Sequence, residues 1–275
     1  IVLTATQVVT QPGALNVVVN ADVGEILPET SEANNTGQAE MGVLGTIDYC
    51  GDITGDATWA YAVFVPTCNI TVQGNATLTL RSGVVVKPMG GVGIYINGRL
   101  NGVGDSITPV VLTSYMDDTY GGDTNNDGSG STPVPGSWTV INIASTGMAN
   151  IDYARIRYGG AGQTIVGNAG GTLYLAHSTI ESGAGTGIQV ASGSTLTVQD
   201  SIIQGNSGSG IDYTQTNGRA APTIRNTVFH SNTGYAMYFT LNPATFDDSN
   251  IQNNTASGNT WNGIGLAATF SGASI

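Results

Sequence analysis

The sequence predicts an all-β fold, a parallel β-helix (solenoid) with coils of about 23 residues, preceded by an N-terminal β extension. Three observations predict it. Residues 165–187 read IVGNAGGTLYLAHSTIESGAGTG, and residues 188–210 read IQVASGSTLTVQDSIIQGNSGSG, the same pattern 23 residues later. Two apolar columns then drift together along the chain: Ile165, Ile188, Ile211, Met237 and Ile264 form one, and Ile156, Ile180, Ile203, Phe229 and Ile251 the other. Between them lie short alternating stretches such as Thr195-Leu196-Thr197-Val198, bounded by Gly, Ser and Asn, which read as strands of three to five residues. Connections of that composition leave no room for the helix or 3₁₀ turn of a leucine-rich repeat. Three short strands and three turns per coil fit instead.

Composition narrows the function classes. Only 7 Lys+Arg stand against 19 Asp+Glu, a formal charge of -12, so nucleic acid and anionic membrane surfaces are repelled. Charged residues make up 9% of the chain, against roughly 25% in typical soluble domains. The surface must therefore rest on Thr, Ser, Asn and Gly. A 40% hydrophobic content is too high for disorder, and no apolar run approaches the ~18 residues of a membrane span.

Residues 1–49 do not follow the repeat and are read as a separate β extension, with apolar runs at residues 2–10 and 14–23 and a polar stretch at 29–40. The chain opens on Ile1 without a charged leader, as expected of a processed secreted protein. Residues 50–275 are read as the solenoid. At its start, Cys50 and Cys68 lack the paired C-x-x-C spacing of zinc or redox sites, and a single disulfide between them is the preferred reading. In later coils Asn206, Asn232 and Asn254 are expected in equivalent turns, where Asn tolerates left-handed geometry. The longest interruption, residues 114–137, must leave the solenoid as a loop. An open solenoid end is a template for pairing, so the N-terminal strands are expected either to cap their own coil or to cover the end of a neighbouring molecule. The second arrangement gives head-to-tail self-association.

Residues 70–87, ITVQGNATLTLRSGVVVK, with residues 93–104, GIYINGRLNGVG, resemble the opening coils of right-handed parallel β-helix repeat proteins of bacterial and archaeal cell surfaces. Residues 200–211, DSIIQGNSGSGI, resemble the general repeat of that family. The resemblance covers roughly residues 50–275 and implies a fold and an extracellular or cell-surface setting, not an activity.

Within the insertion, residues 123–128 match D-x-[DN]-x-[DN]-G, the first half of a calcium loop, with Asp123, Asn125 and Asp127 as alternate oxygen donors. The twelfth position is Val134, so the usual bidentate Glu is missing, and Asp117 or Asp118 is expected to supply the lost carboxylate. A similar insertion recurs in the family resembled. Calcium is thus the one cofactor expected, bound weakly.

The same fold carries pectin-degrading enzymes, so a polysaccharide lyase or hydrolase is the rival reading. A lyase needs a basic residue beside the uronate, and Arg155 with Arg157 is the best pair on one strand face. A solvated or salt-bridged face is the better explanation of that pair. Adjacent carboxylates at 117–118 and 247–248 point to opposite faces of any strand, a poor acid/base couple. His177 and His230 occupy unrelated repeat positions and read as surface or turn residues. Thr172 and Thr195 begin a row that Tyr174 interrupts, so ordinary strand propensity accounts for them. An Asn, Thr and Tyr face leaves glycan as a further partner to test. The sequence reading is a non-enzymatic extracellular scaffold, structural or adhesive, with filament or surface-layer assembly.

Overall fold

The computed structural model describes residues 13–20, 36–43, 45–160, 162–216, 218–242 and 245–268. No helix occurs among them, and none is long and apolar enough to cross a membrane. The chain winds into a right-handed parallel β-solenoid with coils of about 24 residues. Its walls are three parallel sheets of eight, nine and eight strands.

One coil shows the plan. Thr172–Ala176 lies in sheet I, Thr179–Glu181 in sheet II and Thr186–Val190 in sheet III; the next coil repeats this with Thr195–Gln199, Ile202–Gln204 and Ile211–Gln215. Each strand bonds to the strand one coil away, at the ~4.8 Å spacing of a sheet, so equivalent side chains stack. In sheet III the inward column runs Ile70, Ile94, Ile141, Ile165, Ile188, Ile211 and Met237. All are buried in one continuous core.

The second column departs from expectation at its last step. Ile156, Ile180, Ile203 and Phe229 do stack in sheet II, but Phe229 is followed by Ala256, while Ile251 pairs with Ile224 in sheet I. The later coils are longer, so a fixed spacing of about 23 residues lands on the wrong sheet.

The asparagines differ likewise. Asn206, Asn232 and Asn259 form a buried ladder at the corner between sheets II and III: Asn206 Nδ2 donates to Asn232 Oδ1 (3.0 Å) and Asn232 Nδ2 to Asn259 Oδ1 (2.8 Å). Asn254 sits at another corner, where its Oδ1 accepts from the Thr227 amide and its Nδ2 donates to the Ile224 carbonyl. None of these four has a positive φ. Left-handed geometry falls instead to two rows: Tyr153, His177, Asp200, Asn226 and Asn253 just after the sheet I strands, and Tyr158, Ser182, Gly205, Ser231 and Gly258 just after the sheet II strands. The corner between sheets II and III is so tight that a Cβ at Gly185 would lie 1.6 Å from the Gly162 carbonyl oxygen.

At the N-terminal end, Gly45–Tyr49 pairs in parallel with Ala62–Pro66, so sheet II begins ahead of residue 50. Gly13–Asn20 and Thr36–Val43 pair with each other as an antiparallel ladder, separate from the three walls. The apolar run at residues 2–10 lies outside the described residues. The Trp59 ring stacks on Phe64 at 4.2 Å, with Tyr49 edge-on to Trp59 at 5.2 Å, filling the first coils. A disulfide joins Cys50 to Cys68, tying the chain after one sheet II strand to the chain after the next.

Candidate functional site

The insertion leaves the solenoid after Val110–Leu112 of sheet II and returns before Ile141–Ile143 of sheet III. It folds back over the outer face of sheet II. Beneath it Val63, Val65, Val85 and Val111 form a second apolar cluster, packed by Met89, Tyr115 and Tyr120. Strands buried on both faces read as continuous apolar runs, as Ala62–Pro66 does. That run was the sequence signal of a covered outer face. Gly121 permits the contact: with φ +71, a Cβ there would sit 2.7 Å from Val63 Cγ2.

Polar groups lock the loop in place. Arg155 and Arg157 each place Nε 2.8 Å from Glu181 Oε1. Arg157 also reaches Asp117 Oδ2 (3.2 Å) and donates to Thr119 Oγ1 (3.1 Å) and Tyr158 Oη (2.9 Å), while Arg155 donates to Tyr120 Oη (2.8 Å). The Arg157 guanidinium lies over the Tyr158 ring, 4.7 Å from its centroid. The arginine pair that a lyase would use is thus committed to holding the insertion.

The two candidate carboxylates before the loop part company. Asp117 is buried and accepts from the Thr113 and Thr119 hydroxyls, the Thr119 amide and Arg157. Burial opposes its ionisation, but these donors outweigh burial and hold its carboxyl below the usual aspartate range. Asp118 instead joins Asp123 and Asp127, one carboxylate oxygen of each lying within 4.8 Å of the others. Calcium–oxygen distances of 2.3–2.6 Å put that spacing within reach of one ion.

The donor set fits such an ion. Asp118 Oδ1 and Asn125 Oδ1 are buried and without a hydrogen-bond partner. Asp123 accepts from the Gly128 amide (2.8 Å), which curls the loop around its first carboxylate, and Asn125 Nδ2 donates to Asp127 Oδ2 (2.9 Å). All candidate ligands are hard oxygen donors, the chemistry of calcium rather than of zinc or copper.

Lys87, which no sequence motif singles out from the other cations, is wholly buried under the same loop. It extends the outward row of sheet II, and its Nζ donates to the Gly122 carbonyl at 2.7 Å. Burial lowers its pKa, an effect that Asp117, Asp118 and Asp123 oppose.

His177, expected as a turn residue, has φ +45 and lies in a row of acids. Its Nδ1 is 2.8 Å from Asp152 Oδ1, its Nε2 4.0 Å from Asp200 Oδ2, and its ring stacks on Tyr153 at 4.5 Å. His230 bonds to Ser257 and Ser231. A further cleft of about 650 Å³ opens beside Tyr61, Arg81, Val103 and Asp105, where Asp105 accepts from Ser82, Thr108 and two backbone amides.

No curated protein and no solved structure matches the chain. The family model described as "Right handed beta helix region" matches residues 124–275, more than half the sequence. With the three parallel walls and stacked coils described above, that match makes the chain a member of the right-handed β-helix family.

Proposed function

We propose that this chain is a non-enzymatic extracellular scaffold, structural or adhesive, which stacks head to tail into a filament or surface layer and carries a calcium-stiffened loop. The observation that carries the reading is how the cations are used. Four of the seven cations are engaged within the fold: Lys87 is buried against a carbonyl, Arg155 and Arg157 are held by Glu181 and Asp117, and Arg225 bonds Asn250. Arg81 and Arg99 stand exposed, without a histidine or a carboxylate pair among the described residues arranged around them as an acid/base site. Proton abstraction beside a uronate needs a base that can reach the substrate. The disulfide supports an oxidising compartment. Stacking is supported by Trp261–Ala268, the outermost strand of sheet III, on which Trp261, Ile264 and Leu266 stand 51%, 45% and 51% exposed.

In the calcium loop Asp118, Asp123, Asp127 and Asn125 would hold the ion, which supplies charge neutralisation and cross-links the two halves of the insertion. Calorimetric titration should show calcium binding with a dissociation constant on the order of 10⁻⁴–10⁻³ M, the range of extracellular modules. Absence of heat, with no change in melting temperature on chelation, removes the site.

Electron microscopy tests assembly. The full chain should form rods longer than one molecule, and removal of residues 1–25 should shorten them; unchanged particle size counts against head-to-tail pairing. The rival reading, a polysaccharide lyase or hydrolase, is favoured by the Asp152, His177 and Asp200 row, which puts two carboxylates around an imidazole. Incubation with neutral and uronate polysaccharides should release neither reducing ends nor unsaturated products, and release of either would overturn the scaffold reading. A glycan array tests adhesion directly.

A further inference from the structure

We propose that Lys87 sets the calcium affinity of the 114–137 insertion, its buried ammonium acting as an internal counter-ion that opposes the incoming metal. The proposal rests on calcium occupying Asp118, Asp123 and Asp127, and adds what governs how tightly it binds.

Lys87 is the only lysine in the sequence, and it is 0% exposed. Its backbone follows Val85–Val86 and its amide bonds the Phe64 carbonyl, so the side chain continues the outward row that the insertion covers. A charge so placed must be compensated, because an ammonium taken out of water loses its hydration. Its ammonium donates to the carbonyl of Gly122, the residue just before Asp123. Among the described residues no carboxylate approaches its Nζ within ion-pair distance, and the charges that act on it are those of Asp117, Asp118 and Asp123.

Asp117 is already matched by Arg157 at 3.2 Å. Lys87 is therefore left to balance Asp118 and Asp123. The loop without metal holds three clustered carboxylates against one buried ammonium. A divalent ion entering the cluster meets that fixed positive charge through partly desolvated surroundings, where screening by salt is weak. The acids attract calcium and Lys87 subtracts from the attraction.

A purely structural role makes the opposite prediction. If Lys87 served only to hang the loop from its Nζ–Gly122 bond, removing it would loosen the ligands and weaken binding. Two charge-free variants separate the roles: Lys87→Gln keeps a donor for the Gly122 carbonyl, and Lys87→Met keeps the length without the donor.

The experiment is calorimetric titration of the full chain with calcium chloride. Both variants should bind calcium about tenfold more tightly than the wild type. Equal or weaker binding in the variants, with heat retained in the wild type, overturns the role of Lys87 and leaves the calcium site standing. Absence of heat from wild type and variants alike removes the calcium site and this inference with it. Should neither variant fold, the wild type still decides. Because the chain has a single lysine, the ¹⁵Nζ resonance of lysine-labelled protein reports Lys87 alone. It should move in step with calcium saturation, and a stationary signal during saturable binding overturns the proposal.

Discussion

Asn232 makes hydrogen bonds in both directions along the solenoid axis. Its Oδ1 accepts from the Asn206 amide (3.1 Å) and side chain, while its Nδ2 donates to Asn259 and to the Ile203 carbonyl (3.0 Å). Its own amide bonds Asn259 Oδ1 at 2.9 Å. With Asn232 only 1% exposed, water cannot replace what a truncation removes. Asn232→Ala strands buried groups on the coils above and below, and should cost about 2–3 kcal/mol, measurable as a lower denaturant midpoint. Asn253→Ala should cost less than 1 kcal/mol, because Asn253 is exposed and serves only its own left-handed turn. Near-equal losses in the two variants would mean that the buried ladder adds no more than the surface turn does.

Among the elements, the insertion behaves as a lid held by a few ionic contacts over an apolar patch. Asp117 is central, since it joins Thr113 beneath, Thr119 within the loop and Arg157 one coil on. Its burial resists ionisation, yet its donors keep the folded-state pKa below that of an unfolded aspartate. The stabilisation it brings is therefore full above about pH 4, the unfolded value, and is lost as pH falls through the lower folded value. Hydrogen exchange should show amides of residues 114–123 protected at neutral pH and opening on acidification below about pH 4, before the sheet III strands open. Simultaneous opening of both would show that the loop is not a separate unit. Asp117→Asn should remove most of this pH dependence, because the amide keeps an acceptor for the threonines but carries no charge to titrate.

Over the whole molecule, cohesion comes from repetition, each coil resting mainly on its neighbours, so an end coil is the weakest place. The disulfide lies at such an end, beside the stacked Tyr49, Trp59 and Phe64. Closing a loop of 18 residues is worth on the order of 3 kcal/mol in the chain-entropy description. Reduction should lower the melting temperature and expose the Trp59 region first, seen as a red shift in tryptophan emission. A melting curve unchanged by reductant would place the disulfide outside the cooperative unit.

Much of this architecture was legible beforehand because stacking in a solenoid is local. A spacing of 23 residues at Ile165, Ile188 and Ile211 translates directly into vertical neighbours, and the Cys50–Cys68 pair needed only two successive coils. The nearness of Asp123 and Asp127 was equally readable, since alternate residues of one short loop are brought together by chain geometry alone. What the sequence could not determine depends on contacts between segments with no fixed spacing. Ile251 and Asn259 took their places only once longer coils changed the register. Likewise the placing of Asp118, and not Asp117, beside Asp123 and Asp127, the capture of Arg155 and Arg157, and the burial of Lys87 all follow from where the insertion lands on sheet II. Periodicity fixes which residues stack, but the resting place of an aperiodic loop is decided by packing and charge in three dimensions.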